Sequence, residues 1–415
     1  MIYINIYNLI YIYKVYRVNS MTNSHKLDAL AHPSEGLVLP VTILTGFLGS
    51  GKSTFLNHIF KDPEFKNTLV IVNEFGEIGL DHLLIEKPDE NIVLLEGGCL
   101  CCEVRGDLVQ TLTDIYQRRS VGNLTSFDRI IIETTGLSNP VPIIQSLLCD
   151  SELRTQYKLG KVITMVDSRE LEDQVDNFTE VIEQIAVADL LVISKMDIAD
   201  HLPIDKLNSI LKPINPGSPI VIGKFGKIDN INLKKILCDE EFEKHDAFMQ
   251  WLDRSEDFII SEQRLHSEEP PSRSSLHPIG SKQISLLSTS NRVHSLSLKR
   301  EGIITGNSFV IWLNLLATMK GENILRLKAI LNIEGRPIAL HGTHTIIHEP
   351  IEMNRWPNAD HSSRFVVISN GPLYKQFERS LDLLNFNVEA NDGVALINPE
   401  SYQNFLKIAE SFSHH

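Results

Sequence analysis

The sequence predicts an α/β fold with a mainly parallel sheet, followed by a smaller α+β domain. Seven short apolar runs alternate with helical stretches between residues 37 and 237: LVLPVTILT, TLVIVNE, NIVLLE, RIIIET, KVITMVD, DLLVISK and PIVIG. Such runs are typical of strands buried on both faces, and strand–helix alternation is typical of a parallel sheet covered by helices. From residue 292 the strands and helices are grouped, as in VHSLSLK and NSFVIWLNLLATM. This grouping predicts an antiparallel sheet with helices on one face.

Two segments are expected to lie outside these domains. Residues 1–36 begin with MIYINIYNLIYIYKVYRVNS, which lacks the uninterrupted apolar core of a secretory signal and has only one Arg and one Ser, whereas a transit peptide is rich in both. We expect a non-native or disordered leader, with a targeting segment as the alternative. Residues 238–291 include a stretch rich in Ser, Pro, Glu and His, which predicts a flexible linker. The domains then span 37–237 and 292–415.

Composition excludes some function classes. Lys and Arg number 39 against 53 Asp and Glu, and the net charge of −14 argues against a general affinity for nucleic acid or anionic membrane. The sequence has no run of eighteen apolar residues, so no transmembrane helix is expected. Three of the five cysteines lie within four positions, which favours a metal or redox role in a reducing compartment over a disulfide framework. We therefore expect a cytoplasmic protein.

The segment TGFLGSGKST carries the strongest chemical signal. Gly46, Gly51, Lys52 and Ser53 match the phosphate-loop pattern G-x-x-x-x-G-K-[ST] directly after the first apolar run. The glycines let backbone N–H groups face phosphates, Lys52 supplies a charge, and Ser53 supplies an oxygen to Mg²⁺. A helix predicted from Ser53 to Phe60 adds its N-terminal dipole. The pattern predicts a P-loop NTPase.

Two segments contain acidic residues that are candidates for a role in nucleotide hydrolysis. In IIIETTGLSNP, Glu133 ends a strand where it can orient Mg²⁺ through water, and the N–H of Gly136 can sense a γ-phosphate. In VNEFGEIGLD, Glu74, Glu77 and Asp81 lie where the first switch of a P-loop GTPase would lie. They can serve Mg²⁺, the attacking water or a transferred metal, and spacing does not choose among these roles.

The segment ISKMD predicts a guanine site. Asp197 can accept hydrogen bonds from guanine N1–H and the 2-amino group, while the stem of Lys195 lies along the base. Adenine offers no such pair of donors, so the site should reject ATP. Ser194 stands where most GTPases have Asn. The alternative is that Ser194 or Asp197 caps a helix.

The segment EGGCLCCEV predicts a metal site. Cys99, Cys101 and Cys102 follow two glycines that let the sulfurs converge, and soft thiolates select Zn²⁺ or Cu(I). Three sulfurs leave one tetrahedral position open, which suits a site that surrenders its metal. A redox thiol cluster is the alternative. Cys149 and Cys238 are expected to be buried small hydrophobes.

Three histidines near the end are weaker candidates. If His341, His344 and His348 lie in one strand, His344 and His348 share a face and His341 points away. A three-histidine metal site is therefore not favoured.

In chain order, the motifs GFLGSGKST, NEFGE, GGCLCC, ETTGLSNP and SKMD resemble the CobW family of P-loop GTPases, which is related to nickel-delivery GTPases of urease and hydrogenase maturation. RLKAILNIEGRP and HGTHTIIHEP similarly resemble the family's C-terminal domain. The resemblance implies a GTPase that handles zinc, with the three cysteines as ligands and the nucleotide state controlling the metal. Its phosphate-loop residues carry over to Gly49, Ser50, Gly51, Lys52, Ser53 and Thr54. The family's His-rich segment between domains is sparse here.

We expect a GTP-hydrolysing metallochaperone that uses GTP, Mg²⁺ and Zn²⁺ and delivers zinc to a client metalloprotein. Lys52, Glu133 and Glu74 are the catalytic candidates, with slow turnover of about 10⁻² s⁻¹ or below. The alternatives are an ATP-dependent kinase or synthetase with a structural zinc, a cobalt-handling GTPase of cobalamin biosynthesis, and a metal store with a vestigial nucleotide site. A homo-oligomer stays open, because water, Glu74 or a second chain can fill the fourth zinc position.

Overall fold

The computed structural model forms two compact units, divided in sequence between Trp251 and Leu252. The described residues are 38–61, 65, 67–74, 92–96, 103–124, 127–198, 200–224, 227–228, 245–266, 282–289, 293–318, 324–344, 346–348, 350–356, 359–371, 374–385, 390–391 and 394–395. None of the helices within these ranges is both long and apolar enough to span a membrane.

The first unit is built on an eight-stranded sheet. Its strands are β1 (Leu39–Gly46), β2 (Thr68–Glu74), β3 (Ile92–Glu96), β4 (Arg129–Glu133), β5 (Tyr157–Asp167), β6 (Leu190–Ser194), β7 (Ile220–Lys224) and β8 (Lys227–Ile228). The order is β3-β2-β4-β1-β5-β6-β7-β8. All neighbours are parallel except β7 and β8. The seven predicted strands and the parallel sheet are confirmed.

Helices cover both faces of this sheet. They are α1 (Lys52–Lys61), α2 (Glu103–Ser120), α3 (Val141–Cys149), α4 (Leu153–Gln156), α5 (Leu171–Asn177), α6 (Thr179–Val187) and α7 (Ile204–Ile214). Met165 of β5 packs in the same buried cluster as Phe55 and Ile59 of α1. Thr164, the residue before Met165 in β5, donates its hydroxyl proton to the carbonyl oxygen of Gln184 in α6 at 2.7 Å. Successive strand residues point to opposite faces, so α1 and α6 lie on opposite sides.

The second unit is built on an antiparallel sheet. Its strands are β9 (Lys282–Thr289), β10 (Val293–Arg300), β11 (Ile324–Ile333), β12 (Arg336–Thr343), β13 (Ile346–Ile347), β14 (Ile351–Glu352) and β15 (Ser363–Asn370). The order is β13-β12-β11-β15-β10-β9, with β14 also paired to β12. The other elements are the part of α8 (His245–His266) from Leu252 onward, α9 (Gly306–Thr318), α10 (Tyr374–Ser380), a 3₁₀ helix (Leu381–Asn385) and the short pair β16 (Ala390–Asn391) and β17 (Val394–Ala395).

An aromatic core joins α9 and α10 to this sheet. Trp312 is fully buried and its ring meets Phe365 and Phe377 edge to face, with centroids 5.7 and 6.2 Å away. Its indole N–H donates to Ser380 Oγ at 3.1 Å. The polar edge of this large side chain is therefore satisfied inside the core.

The structure differs from two expectations for this part of the chain. Helix α8 and strand β9 lie within the stretch 238–291, where the composition predicted a flexible linker. Arg364, whose neighbour Phe365 faces the aromatic core, bonds Asp253 and Glu256 of α8 at 2.8 and 3.3 Å. Helices therefore lie on both faces of the second sheet. The average composition of residues 238–291 gave no indication of the buried positions Leu252 and Ile259. These two residues share one side of α8.

Candidate nucleotide site

The phosphate loop joins β1 to α1, as the pattern predicts. Gly46, Gly49 and Gly51 have φ values of +137°, +71° and +94°, where glycine has no Cβ penalty. A Cβ on Gly46 would also clash with the carbonyl oxygen of Met165. The helix begins at Lys52, one residue earlier than expected. The local sequence therefore builds a loop that only glycine permits at these positions.

The charged group of Lys52 is turned into this loop. Its Nζ donates to the carbonyl oxygens of Gly46 at 2.7 Å and Phe47 at 3.1 Å, and the residue is buried. Ser53 is half-buried and Thr54 is exposed. Ser50 Oγ is buried and has no hydrogen-bond partner within the described residues. The loop thus holds an ammonium and a buried hydroxyl that a phosphate group can engage.

Strand β4 brings the predicted acid beside the loop. Glu133 is 5 % exposed and lies in register with Leu44 of β1, two residues before Gly46. The N–H of Thr134 donates to the Leu44 carbonyl at 2.9 Å. A Glu133 carboxylate and the Ser53 hydroxyl supply the hard oxygen atoms that Mg²⁺ prefers. The residues present fit a magnesium ion.

The segment after Glu133 packs directly on the phosphate loop. A Cβ on Gly136 would clash with the backbone nitrogen of Leu48, so only glycine allows this approach. Gln184 Nε2 donates to the carbonyls of Gly136 at 3.1 Å and Ser138 at 3.0 Å. Gln184 is a site residue with no local signal in the sequence, because its contact with Gly136 spans 48 residues.

The predicted base-binding segment follows β6, on the other side of β1. Ser194 Oγ donates to the Ser50 carbonyl at 2.6 Å and lies 3.1 Å from the Val166 carbonyl. Lys195 Nζ binds Asp167 Oδ2 at 2.6 Å, and Asp197 is exposed. The next helix begins at Ile204, so neither Ser194 nor Asp197 caps it, and that alternative is wrong. Ser194 instead ties the end of β6 to the phosphate loop.

The predicted zinc ligands lie outside the described residues, as do Glu77, Asp81 and Cys238. Their surroundings in sequence are defined: Cys99, Cys101 and Cys102 fall between the end of β3 and the start of α2. Glu74, the last residue of β2, is in register with Glu96, the last residue of β3.

Strand order places this register pair close to the nucleotide loop. Three strand spacings separate β3 from β1, which amounts to about 14 Å. Strand β3 therefore ends at the same sheet edge as the phosphate loop. Cys149 ends α3 and is half-buried, so the expectation that it is fully buried is wrong.

The three histidines are arranged differently from the expectation. The strand ends at Thr343 and reverses, with His344 in the turn at φ +51°. His341 and His348 are therefore opposite each other, with stacked rings 5.8 Å apart and a 2.9 Å bond from His348 N–H to the His341 carbonyl. The prediction that His344 and His348 share a face was wrong. No cluster of three His, Cys, Asp or Glu suited to a metal occurs in the described ranges.

The sheet, the glycine loop and α1 define a P-loop nucleotide-binding protein. Residues 40–222 match the nucleotide-binding domain of the family described as CobW/HypB/UreG. Residues 293–384 match the C-terminal domain of the cobalamin synthesis protein CobW. The chain therefore contains a CobW/HypB/UreG nucleotide-binding domain followed by a CobW C-terminal domain, and the resemblance proposed from the motifs is confirmed.

Curated relatives carry zinc-related names. The zinc chaperone YjiA of Escherichia coli is 38 % identical over 191 residues, which cover 46 % of this chain and 59 % of YjiA. The zinc-regulated GTPase metalloprotein activator 1 of Schizosaccharomyces pombe is 29 % identical, covering 59 % of this chain and 62 % of the relative. The chain thus spans about six tenths of the length of these relatives.

The fold is also found in a solved relative. The crystal structure of Zn(II)-bound YjiA GTPase from E. coli matches with a TM-score of 0.56 and 21 % identity, covering 84 % of this chain and 99 % of that one. At this identity the likeness concerns the fold alone.

Proposed function

We propose that the protein is a GTP-hydrolysing metallochaperone that binds zinc through Cys99, Cys101 and Cys102 and delivers it to a client protein. The observation that carries this proposal is the register of Glu74 with Glu96 at the carboxyl edge of the first sheet. Strand β3, which the cysteines follow in the sequence, ends there, about 14 Å from the phosphate-loop strand. The zinc-related names of the relatives support the choice of metal.

Phosphate binding and hydrolysis use the loop and the neighbouring strand ends. Lys52 would leave the carbonyls of Gly46 and Phe47 to neutralise the terminal phosphates, and Ser53 and Glu133 would hold Mg²⁺, Glu133 through water. When bound, the metal neutralises charge on the transferred phosphoryl group. Gly136 N–H senses the γ-phosphate, and Glu74 is the acid that orients the attacking water.

Guanine recognition rests on the segment after β6. Asp197 is exposed beside Lys195, where it can accept the two N–H groups that distinguish guanine from adenine. A titration with GTP and ATP tests this assignment. Tighter binding of ATP would favour the kinase or synthetase alternative and contradict the guanine role of Asp197.

Coupling between the sites makes hydrolysis useful for delivery. If the γ-phosphate orders the segment that follows Glu74, the neighbouring cysteines experience a different surrounding in the GTP and GDP states. Coupling free energies of this kind are typically about 1–3 kcal/mol, and they are reciprocal. Zinc should tighten GTP by the same factor by which GTP tightens zinc.

The test is the zinc affinity with a non-hydrolysable GTP analogue and with GDP, at one pH because thiolate binding releases protons. We expect about a 5- to 150-fold difference between the two states. A Cys101→Ser variant should lose both affinity and difference, whereas Cys149→Ser, at the half-buried end of α3, should keep both. Equal zinc affinities in the two nucleotide states would contradict the delivery mechanism. Cobalt titrated in parallel distinguishes the cobalt-handling alternative.

A further inference from the structure

The base side of the nucleotide site contains an acid that the sequence analysis did not consider. Asp167, the last residue of β5, is 2 % exposed, and its Oδ2 binds Lys195 Nζ at 2.6 Å. Its other oxygen accepts the N–H of Arg169 at 3.0 Å. The carboxylate is therefore fixed by the end of its own strand, independently of Lys195.

Lys195 is the more exposed member of this pair. Its side chain is 29 % exposed, and its Nζ lies 4.0 Å from where a Cβ on Gly49 would be. The stem thus runs from the end of β6 toward the end of β5, along the flank of the phosphate loop. A bound nucleotide would bring phosphate oxygens close to this ammonium, and they would compete with Asp167 for it.

The backbone of Lys195 shows that this placement is imposed. Its φ is +60°, a left-handed conformation that L side chains disfavour and that persists where the surroundings fix it. The Ser194 hydroxyl anchors the preceding residue to the Ser50 carbonyl, and the Lys195 carbonyl accepts the N–H of Ile198 at 3.1 Å. Asp167 anchors the far end of the side chain. The lysine is therefore held at both ends.

We propose that Asp167 is a positioning residue that keeps the Lys195 stem in place as a platform for the nucleotide base. The inference rests on the proposed nucleotide-binding function and adds a residue to it. By holding the ammonium at the end of β5, Asp167 keeps the stem extended beneath the base and prevents the charge from turning to the phosphates. It acts on base affinity and leaves phosphate affinity intact.

The test is a double-mutant cycle with Asp167→Asn and Lys195→Met, read by competition against a fluorescent GDP. Charged hydrogen bonds of this kind justify an expected loss of about tenfold in GDP affinity for Asp167→Asn. Because Asp167 acts through Lys195, the double variant should bind GDP no more weakly than Lys195→Met alone. Inorganic tripolyphosphate, which has no base, should compete with Asp167→Asn at least as well as with wild type.

A matched control is Asp189→Asn. Asp189 is another buried acid that accepts a backbone N–H, from Val162 at 3.0 Å, but it lies at the opposite end of β6. The Asp189→Asn variant should leave GDP affinity unchanged. That result would show that the loss in Asp167→Asn comes from the positioning of Lys195 and not from the removal of any buried carboxylate. If Asp167→Asn does not fold, Lys195→Met tests the same contact, with the same selective loss of GDP affinity.

Two results would overturn the inference. One is a loss of tripolyphosphate affinity equal to the loss of GDP affinity, and the other is a double variant whose losses add. The guanine proposal fails separately, through wild-type preference for ATP over GTP. In that case the same cycle with ADP decides whether Asp167 positions the platform, because the stem lies under either base.

Discussion

The two units use buried polar groups in different ways. In the first unit, the phosphate loop holds the buried Ser50 Oγ, which has no hydrogen-bond partner within the described residues. In the second unit, two buried side chains bind other helical segments of the same unit: the indole N–H of Trp312 in α9 donates to Ser380 Oγ, and the guanidinium of Arg300 at the end of β10 donates to Asn385 Oδ1 at 2.6 Å. The first arrangement leaves hydrogen-bonding capacity for a ligand, and the second uses it for folding.

This difference separates two kinds of substitution. At strand ends of the first unit, a change should alter binding and turnover more than it alters unfolding. In the second unit, a change should lower the free energy of unfolding and leave nucleotide affinity unchanged. Each prediction below tests one side of this contrast.

The largest effect is expected from Lys52→Ala. The substitution removes the cation at the phosphate loop, so GTP turnover should fall by at least about 100-fold. Zinc content should persist, because the proposed cysteine ligands belong to another segment. The measurement is steady-state GTP hydrolysis with elemental analysis for zinc, and the control is Lys61→Ala at the exposed end of the same helix. If the Lys52→Ala variant hydrolysed GTP at the wild-type rate, the assignment of Lys52 to the active site would be wrong.

Trp312→Ala tests the second unit. Removing this fully buried indole should lower the free energy of unfolding by about 3–5 kcal/mol, measured by denaturant titration. GDP affinity should stay within twofold of wild type at low denaturant. Trp356→Ala is the matched control, since Trp356 is only half-buried and stacks on exposed His361, and we expect less than about 1.5 kcal/mol. Weakened GDP binding in Trp312→Ala would break the contrast between the units.

The free energy of unfolding of the second unit should also depend on pH. Burial, opposed by Arg364 and reinforced by Asp253, raises the pKa of Glu256 to about 7. Because the folded pKa lies above the unfolded value of 4.5, the stabilising contribution is complete below pH 4.5 and is lost as pH rises through 7. Unfolding free energy should therefore fall by roughly 1–3 kcal/mol between pH 5 and 8.

Glu256→Gln provides the comparison for this pH profile. Glutamine does not titrate, so the variant should show a flatter profile than wild type over the same range. Lys299 also lowers the pKa of Glu256, but it is present in both proteins and therefore does not cause a difference between their pH profiles. Identical slopes for the two proteins would show that Glu256 does not titrate in this range.

Local patterns predicted the first unit well and the second less completely. The seven strands and the phosphate loop follow from apolar runs and glycine spacing, which are properties of adjacent residues. Asp167 and Gln184 were missed because their contacts with Lys195 and Gly136 span 28 and 48 residues. The turn at His344 was missed because its left-handed backbone lacks the glycine or asparagine that usually indicates one.

The last prediction concerns zinc itself and has the smallest expected effect. His341 and His348 are stacked neighbours, a pair that could attract a metal. Burial lowers the pKa of His341 well below its usual value, and the charges of Lys328, His348 and Arg326 lower it further, in that order. Lys328 is in register with His341 across β11 and β12, and it is 1 % exposed.

The cations that disfavour a proton on His341 should disfavour a dication there as well. Zinc per chain, measured by elemental analysis after dialysis, should therefore stay unchanged in His341→Ala and in His348→Ala. The same measurement on Cys102→Ser should show a loss, because a proposed thiolate ligand is removed. Loss of zinc from either histidine variant, with Cys102→Ser unaffected, would move the metal site from the first unit to the second.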